Sequence, residues 1–222
     1  MLHKPSIRIG SSTPKNTEFC CRRSTTLNTK KTWITEIAIA AGLCFCGTAM
    51  ADVESIAQSC DGCHGADASM PVIAGLSEFY HADQLFFYRD EERPCADATT
   101  AGGDTSNMCT VSADLSDDDI EAIAAHYAAM PFAAATQEFD AGLAAAGQAI
   151  HERDCEVCHS EGGSNAEDDS SILAGQPMSY MEMTFAQYRA GEREQPDPMK
   201  KKIDPLSDDD VKALLHYYAS QQ

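Results

Sequence analysis

The run Cys60-Asp61-Gly62-Cys63-His64 recurs 95 positions later as Cys155-Glu156-Val157-Cys158-His159, and this constrains the 222-residue chain more than any other feature. Each run sets two thiols and an imidazole within five residues. That spacing reaches both vinyl groups of one porphyrin and lets the adjacent histidine turn onto its iron. A thioredoxin-like pair would need a βαβ pattern, which the chain lacks. A four-cysteine zinc site would need ligands from two distant segments to converge, and plain disulfides would leave both histidines as coincidence. The pattern therefore points to two covalent hemes c, one at Cys60, Cys63 and His64 and one at Cys155, Cys158 and His159.

The duplication extends beyond the cysteines. Pro71–Gly75 matches Ser171–Gly175, and the same offset superposes Tyr80 on Tyr180, Tyr88-Arg89 on Tyr188-Arg189 and Glu92-Arg93 on Glu192-Arg193. Leu115-Ser-Asp-Asp-Asp119 then matches Leu206-Ser-Asp-Asp-Asp210, followed by Tyr127-Ala128 on Tyr218-Ala219. Two units of this size are too few and too long for a solenoid. They read as tandem domains, 52–135 and 136–222, with a seam near Pro131 to Asp140. Each is small enough to need a staple, and a covalently held apolar disc supplies one.

Local signals are helical. Ser116 and Ser207 can each cap a helix whose first turn holds three aspartates, favourable at the positive end of the helix dipole. Apolar residues follow at helical spacing: Ile120, Ile123, Ala124 and Tyr127, then Val211, Leu214, Leu215 and Tyr218. A second helix is expected over Phe79–Arg89 and over Ser179–Arg189. No stretch alternates as a strand, so the fold class is all-α.

The amino end has the order of an export signal. Lys30 and Lys31 precede an apolar stretch from Trp33 to Thr48 that closes on Ala49-Met50-Ala51, so residues 1–51 read as a cleaved signal peptide with an over-extended start. The apolar part is shorter than the roughly 20 residues a bilayer span requires, so no membrane span is expected in the mature chain. Residues 1–51 hold 7 of the 16 basic and 2 of the 35 acidic side chains, which leaves 9 against 33, a net charge of -24. Such a surface repels nucleic acid and suits partners with basic docking patches. Cys20, Cys21, Cys44 and Cys46 leave with the signal. The six that stay belong to an exported, oxidising setting.

Met108 stands seven residues before Leu115 and Met199 seven before Leu206, the only methionines at matching positions of the repeat. They are the candidate distal iron ligands, a pairing with histidine that raises heme potential. Met70, Met130, Met178, Met181 and Met183 read as packing residues. His81, His126, His151 and His216 have no histidine counterpart and read as surface or helix-end residues unless one heme is bis-histidine. Cys95 and Cys109 fall in an insertion found only in the first unit, and an intramolecular disulfide beside Met108 is the expected pairing.

These residues resemble the diheme class I cytochromes c of the cytochrome c4 type. The elements that carry the likeness are both Cys-x-x-Cys-His runs, Ile73-Ala-Gly75, Leu173-Ala-Gly-Gln176, the two methionines and both Leu-Ser-Asp helices. Related two-heme chains form the cytochrome subunit of flavocytochrome c sulfide dehydrogenase. The resemblance implies two tandem class I cytochrome c folds, each around a covalently bound, His/Met-ligated heme in the periplasm. It implies single-electron transfer between redox proteins, with a flavoprotein subunit or a terminal oxidase among the partners, and no catalytic residue in the chain itself. The first unit departs from the pattern in its Cys95–Cys109 insertion and in having Leu76 where the second has Gln176.

Overall fold

The two Leu-Ser-Asp segments begin helices as their residues require. Ser116 caps helix α4 (Asp117–Ala128) and Ser207 caps helix α9 (Asp208–Ala219). In each, the serine hydroxyl accepts from the third helical N–H while Asp119 or Asp210 accepts from the serine N–H, a reciprocal capping box. The faces behind the caps are the apolar stripes expected. Helix α4 buries Ile120, Ile123, Ala124 and Tyr127, and α9 buries Val211, Leu214, Leu215 and Tyr218 together with Ala213, Tyr217 and Ala219.

A computed structural model describes residues 50–64, 70–99 and 103–222. The remaining residues, including nearly all of the expected signal peptide and its four cysteines, lie outside the described residues. The first half comprises α1 (Met50–His64), α2 (Glu78–Arg89), strands β1 (Ala98–Thr99) and β2 (Thr105–Ser106), α3 (Met108–Ser112) and α4. The second comprises α5 (Ala141–Asp154), α6 (Ser160–Gly163), a 3-10 turn (Ala166–Asp168), α7 (Met178–Ala190), α8 (Asp197–Ile203) and α9. Helix α4 packs on α1 and α2, and α9 packs on α5 and α7. The repeat in sequence is thus a repeat in packing.

The segment joining the halves lies over two matching turns. Gly75 and Gly175 have φ of +77° and +70°, a region that L side chains rarely adopt. Their N–H groups donate to the carbonyls of Tyr127 (2.9 Å) and Tyr218 (2.8 Å). A Cβ at Gly75 would strike the backbone of Phe132 at 2.6 Å, and one at Gly175 would strike Ala134 at 2.5 Å. Glycine is demanded twice, by the turn and by the chain crossing it.

The architecture is mostly helical, as the sequence leads one to expect, with one small addition to the all-α plan. Ala98 pairs with Ser106 and Thr99 with Thr105 in a small antiparallel ribbon inside the first-half insertion. Strands of two residues are too short to show a period in sequence. Among the described residues no helix is long and apolar enough to cross a membrane.

Candidate functional site

Helix α1 ends on the first Cys-x-x-Cys-His run, so Cys60, Cys63 and His64 stand at i, i+3 and i+4 and share one helix face. In the second half α5 stops one residue before Cys155, but the turn continues. The N–H groups of Cys158 (3.1 Å) and His159 (3.0 Å) both donate to the Cys155 carbonyl. None of the four cysteines is in a disulfide, and burial pushes the Cys60 and Cys155 thiols above their ordinary range.

The two imidazoles are oriented alike. His64 Nδ1 donates to the Pro71 carbonyl at 2.9 Å, and His159 Nδ1 donates to the Ser171 carbonyl at 3.1 Å. Pro71 and Ser171 are themselves matching positions of the repeat. A carbonyl can only accept, so Nδ1 carries the proton and Nε2 keeps its lone pair, the arrangement of a metal-binding histidine. Burial also holds both histidines below their usual pKa and therefore neutral.

Cys60, Cys63, His64 and Met108 line one cavity that opens to solvent. Met108 opens α3, and the preceding Asn107 caps that helix through a bond from the Thr110 N–H. Cys109 is joined to Cys95 by a disulfide with a Cα–Cα distance of 5.8 Å. In the second half, Met199 is half-buried on α8, whose Pro198 sits in the first turn. Lys202 Nζ of the same helix meets Asp154 Oδ1 at 3.1 Å, tying α8 to the residue before Cys155.

Several residues around the cavity carry roles that their sequence positions did not disclose. Arg93 and Arg193 are each 6% exposed. Arg93 Nη2 donates to the Tyr180 hydroxyl (3.1 Å), and Arg193 Nη2 lies 3.5 Å from the Tyr80 hydroxyl, so each arginine reaches across to the other half. Gln84 Oε1 accepts from both, at 2.7 and 3.0 Å. Each guanidinium also stacks on a tyrosine of its own half, Tyr88 at 4.4 Å and Tyr188 at 4.6 Å. The repetition of Tyr80, Tyr88 and Arg93 was visible in the sequence, but not the exchange of partners.

Two of the histidines read as surface or helix-end residues are buried, His151 in the last turn of α5. His81 is buried and lines the cavity, where its Nε2 donates to the Ile73 carbonyl at 2.7 Å; burial lowers its pKa to about 4. His151 is fully buried, with Nε2 donating to Glu156 Oε2 (2.7 Å) and Nδ1 accepting from the Tyr218 hydroxyl (3.0 Å). Met70 and Met183 border the cavity, and Met181 belongs to the core.

Residues 142–217 match the family model for subunit III of the cbb3-type cytochrome c oxidase. Over 185 residues the chain is 32% identical to the thiosulfate dehydrogenase electron acceptor of Stutzerimonas stutzeri (strain A1501), covering 74% of this chain and 79% of that one. It is 28% identical to cytochrome c4 of Pseudomonas aeruginosa, over 83% of this chain and 91% of that one. The crystal structure of reduced cytochrome c4 from Pseudomonas stutzeri superposes with a TM-score of 0.63 at 24% identity, covering 78% of this chain and 98% of the other. The chain belongs to the diheme cytochrome c4 family. Its cofactors are two covalently bound hemes c, and its function is single-electron transfer between redox partners.

The residues of this cytochrome fit the cofactor on grounds of their own. Each half offers paired thiols beside an imidazole with an uncommitted Nε2. The first half adds a cavity lined by its thiols, its imidazole and Met108. Arg93 lines that cavity, meets no carboxylate among the described residues, and has a buried Nε without a partner. A buried unpaired cation is costly, and the propionate carboxylates of a heme would supply the missing counter-charge.

Proposed function

We infer that this cytochrome is an exported carrier that takes single electrons from an enzyme oxidising a reduced sulfur compound of the thiosulfate class and passes them to a further redox protein. It works in the periplasm after removal of residues 1–51, as two domains, 52–135 and 136–222. Cys60 and Cys63 hold one heme and Cys155 and Cys158 the other. His64 with Met108, and His159 with Met199, are the axial pairs. When bound, each heme iron cycles between ferric and ferrous forms and stores one electron.

The observation that carries this reading is the matched pair of imidazole bonds, His64 to Pro71 and His159 to Ser171. Both sites are built to hold a neutral imidazole rigidly, which suits an iron that must change oxidation state with little rearrangement. The residues around the first cavity bury the cofactor, orient its ligand and supply positive charge. The relative named as an electron acceptor for thiosulfate dehydrogenase supports the choice of partner.

The test is spectroscopic and then kinetic. The oxidised protein should show six-coordinate low-spin iron at both hemes, with the weak methionine-to-iron band near full intensity. Met108→Ala and Met199→Ala should each remove about one of its two equal contributions, as expected if each methionine binds one iron. Mixing with a thiosulfate dehydrogenase and thiosulfate should reduce both hemes. Failure of that reduction, with both methionine bands intact, would leave the carrier and replace the partner. Copurification with a flavin-bearing chain would assign the protein to a sulfide-oxidising complex instead.

A further inference from the structure

Gln176 closes the Leu173-Ala174-Gly175-Gln176 stretch and belongs by sequence to the second repeat, yet its side chain is spent on the first. Its Oε1 accepts from the Val72 N–H at 2.9 Å, and its Nε2 donates to the Val72 carbonyl at 2.9 Å. One amide thus satisfies both backbone groups of one residue, as a neighbouring strand would, and only one orientation of the amide permits it. Gln176 is 1% exposed. Its own carbonyl accepts from Gln137 Nε2 at 2.8 Å, and Gln137 Oε1 in turn accepts from the Met178 N–H at 2.8 Å.

The residue beside Val72 is Pro71, whose carbonyl accepts the His64 Nδ1 proton. A continuous set of bonds therefore runs from Gln137 and α7, through Gln176, to the backbone segment that aims His64. The matching position of the first repeat is Leu76, buried at 4% and without a polar group, so it cannot return the contact to the second heme's histidine.

We propose that Gln176 is a cross-repeat positioning residue: from the second repeat it fixes the Pro71–Val72 segment that orients His64, and so sets the potential of the first heme alone. This rests on His64 and His159 being axial ligands. A short Nδ1–H···O bond makes an imidazole more basic and a better donor to ferric iron. Loosening the Pro71 carbonyl weakens that donation and raises the first heme's potential.

The experiment uses the full heme-loaded protein with Gln176→Met, which keeps side-chain length, and Gln176→Leu, the residue already accommodated at the matching position. Optical redox titration reads both hemes, with a Met199→His background marking the second heme by its separate low-potential step. Hydrogen exchange reads the 70–76 segment. The expected result is faster exchange at 70–76, a first-heme potential that rises and a second-heme potential that stays. A shift of the second heme as large as that of the first overturns the proposal. So does a fixed first-heme potential, or exchange at 70–76 that does not change. Failure of the ligation reading is separable, because it shows in the unaltered protein as absence of histidine-bound low-spin iron.

Discussion

The two halves share a plan and differ in what fills it. The second half builds its core from side chains: Leu214 and Ala219 are fully buried, Tyr218 is 1% exposed, and Ile150, Tyr180, Met181, Leu206, Val211 and Leu215 pack around them. Gly147 lets α5 approach α9 so closely that any Cβ there would run into the Ala213 backbone. Among the described residues the first half's packed cluster is smaller, Ala57, Ile123 and Tyr127 ringed by half-buried Ile56, Cys60, Ile73, Leu85 and Leu115, with Ile120, Ala124 and Leu76 also buried, and it borders the cavity. In place of side-chain mass it carries a disulfide and the Gln176 contact from its neighbour. A duplicated unit can shed apolar packing when covalent links and a partner's side chain replace it.

The largest effect expected from this contrast comes from detaching the hemes one at a time. Cys60→Ala with Cys63→Ala should lose one heme by pyridine hemochrome assay and, in hydrogen exchange, lose protection throughout α1, α2 and α4 while α5 and α9 stay protected. Cys155→Ala with Cys158→Ala should lose the other heme but keep part of the protection in α9, whose core residues pack on one another. Equal collapse of the two halves would break the comparison.

The disulfide comes next. Cys95 and Cys109 are 14 residues apart, and a loop of that size is worth about 3 kcal/mol through the unfolded chain. Cys95→Ser with Cys109→Ser should lower the first half's unfolding midpoint in denaturant by a comparable free energy. It should also weaken the methionine band of the first heme, since Met108 adjoins Cys109. The second half's transition should not move.

What the sequence disclosed and what it hid follow from the kind of atom involved. Ser116, Ser207 and the apolar stripes behind them were legible because capping and helical burial depend on side chains at fixed local spacing. The α2 and α7 helices were placed to within a residue or so of their observed limits, Glu78–Arg89 and Met178–Ala190. The carbonyls of Pro71 and Ser171 were not legible, since every residue carries a carbonyl and only the fold decides which one meets a histidine. The exchange of Arg93 and Arg193 between halves was half visible: the repeat announced the residues, but partner choice across the seam depends on how the halves dock. His81 and His151 read as surface or helix-end residues because neither recurs; His151 does stand in the last turn of α5, but both are buried, and burial with a dedicated partner needs no recurrence. Leu76 opposite Gln176 was visible as a departure, and its consequence required the position of Val72.

Where the halves are alike, substitutions should act alike. Ser116→Ala and Ser207→Ala each remove a capping box from a helix with an aspartate-rich first turn. Each should cost about 1 kcal/mol in chemical denaturation, the usual worth of such a cap. A cost at one helix several times that at the other would show that the heavier core of the second half decides how much a cap matters.

The smallest effect is a matched response to acid. Hydrogen bonds from the Ser116 side chain and backbone hold the Asp119 carboxyl below its ordinary range, and Ser207 does the same for Asp210. A carboxyl whose pKa is lower folded than unfolded binds fewer protons in the native state, so its contribution is complete above the ordinary aspartate value of about 3.9. It fades as pH falls through the depressed folded value. Asp119→Asn and Asp210→Asn should therefore flatten the stability curve only at the acid end, leave stability near neutrality governed by the remaining cap bond, and do so equally. Both aspartates are part-exposed at the mouth of their helices, so the shared loss is small and shrinks further with added salt. Denaturation at a series of acid pH values, with the two halves followed separately by hydrogen exchange, measures it. Flattening in one half alone would mean that the fold around the caps, and not the caps themselves, sets how these carboxylates titrate.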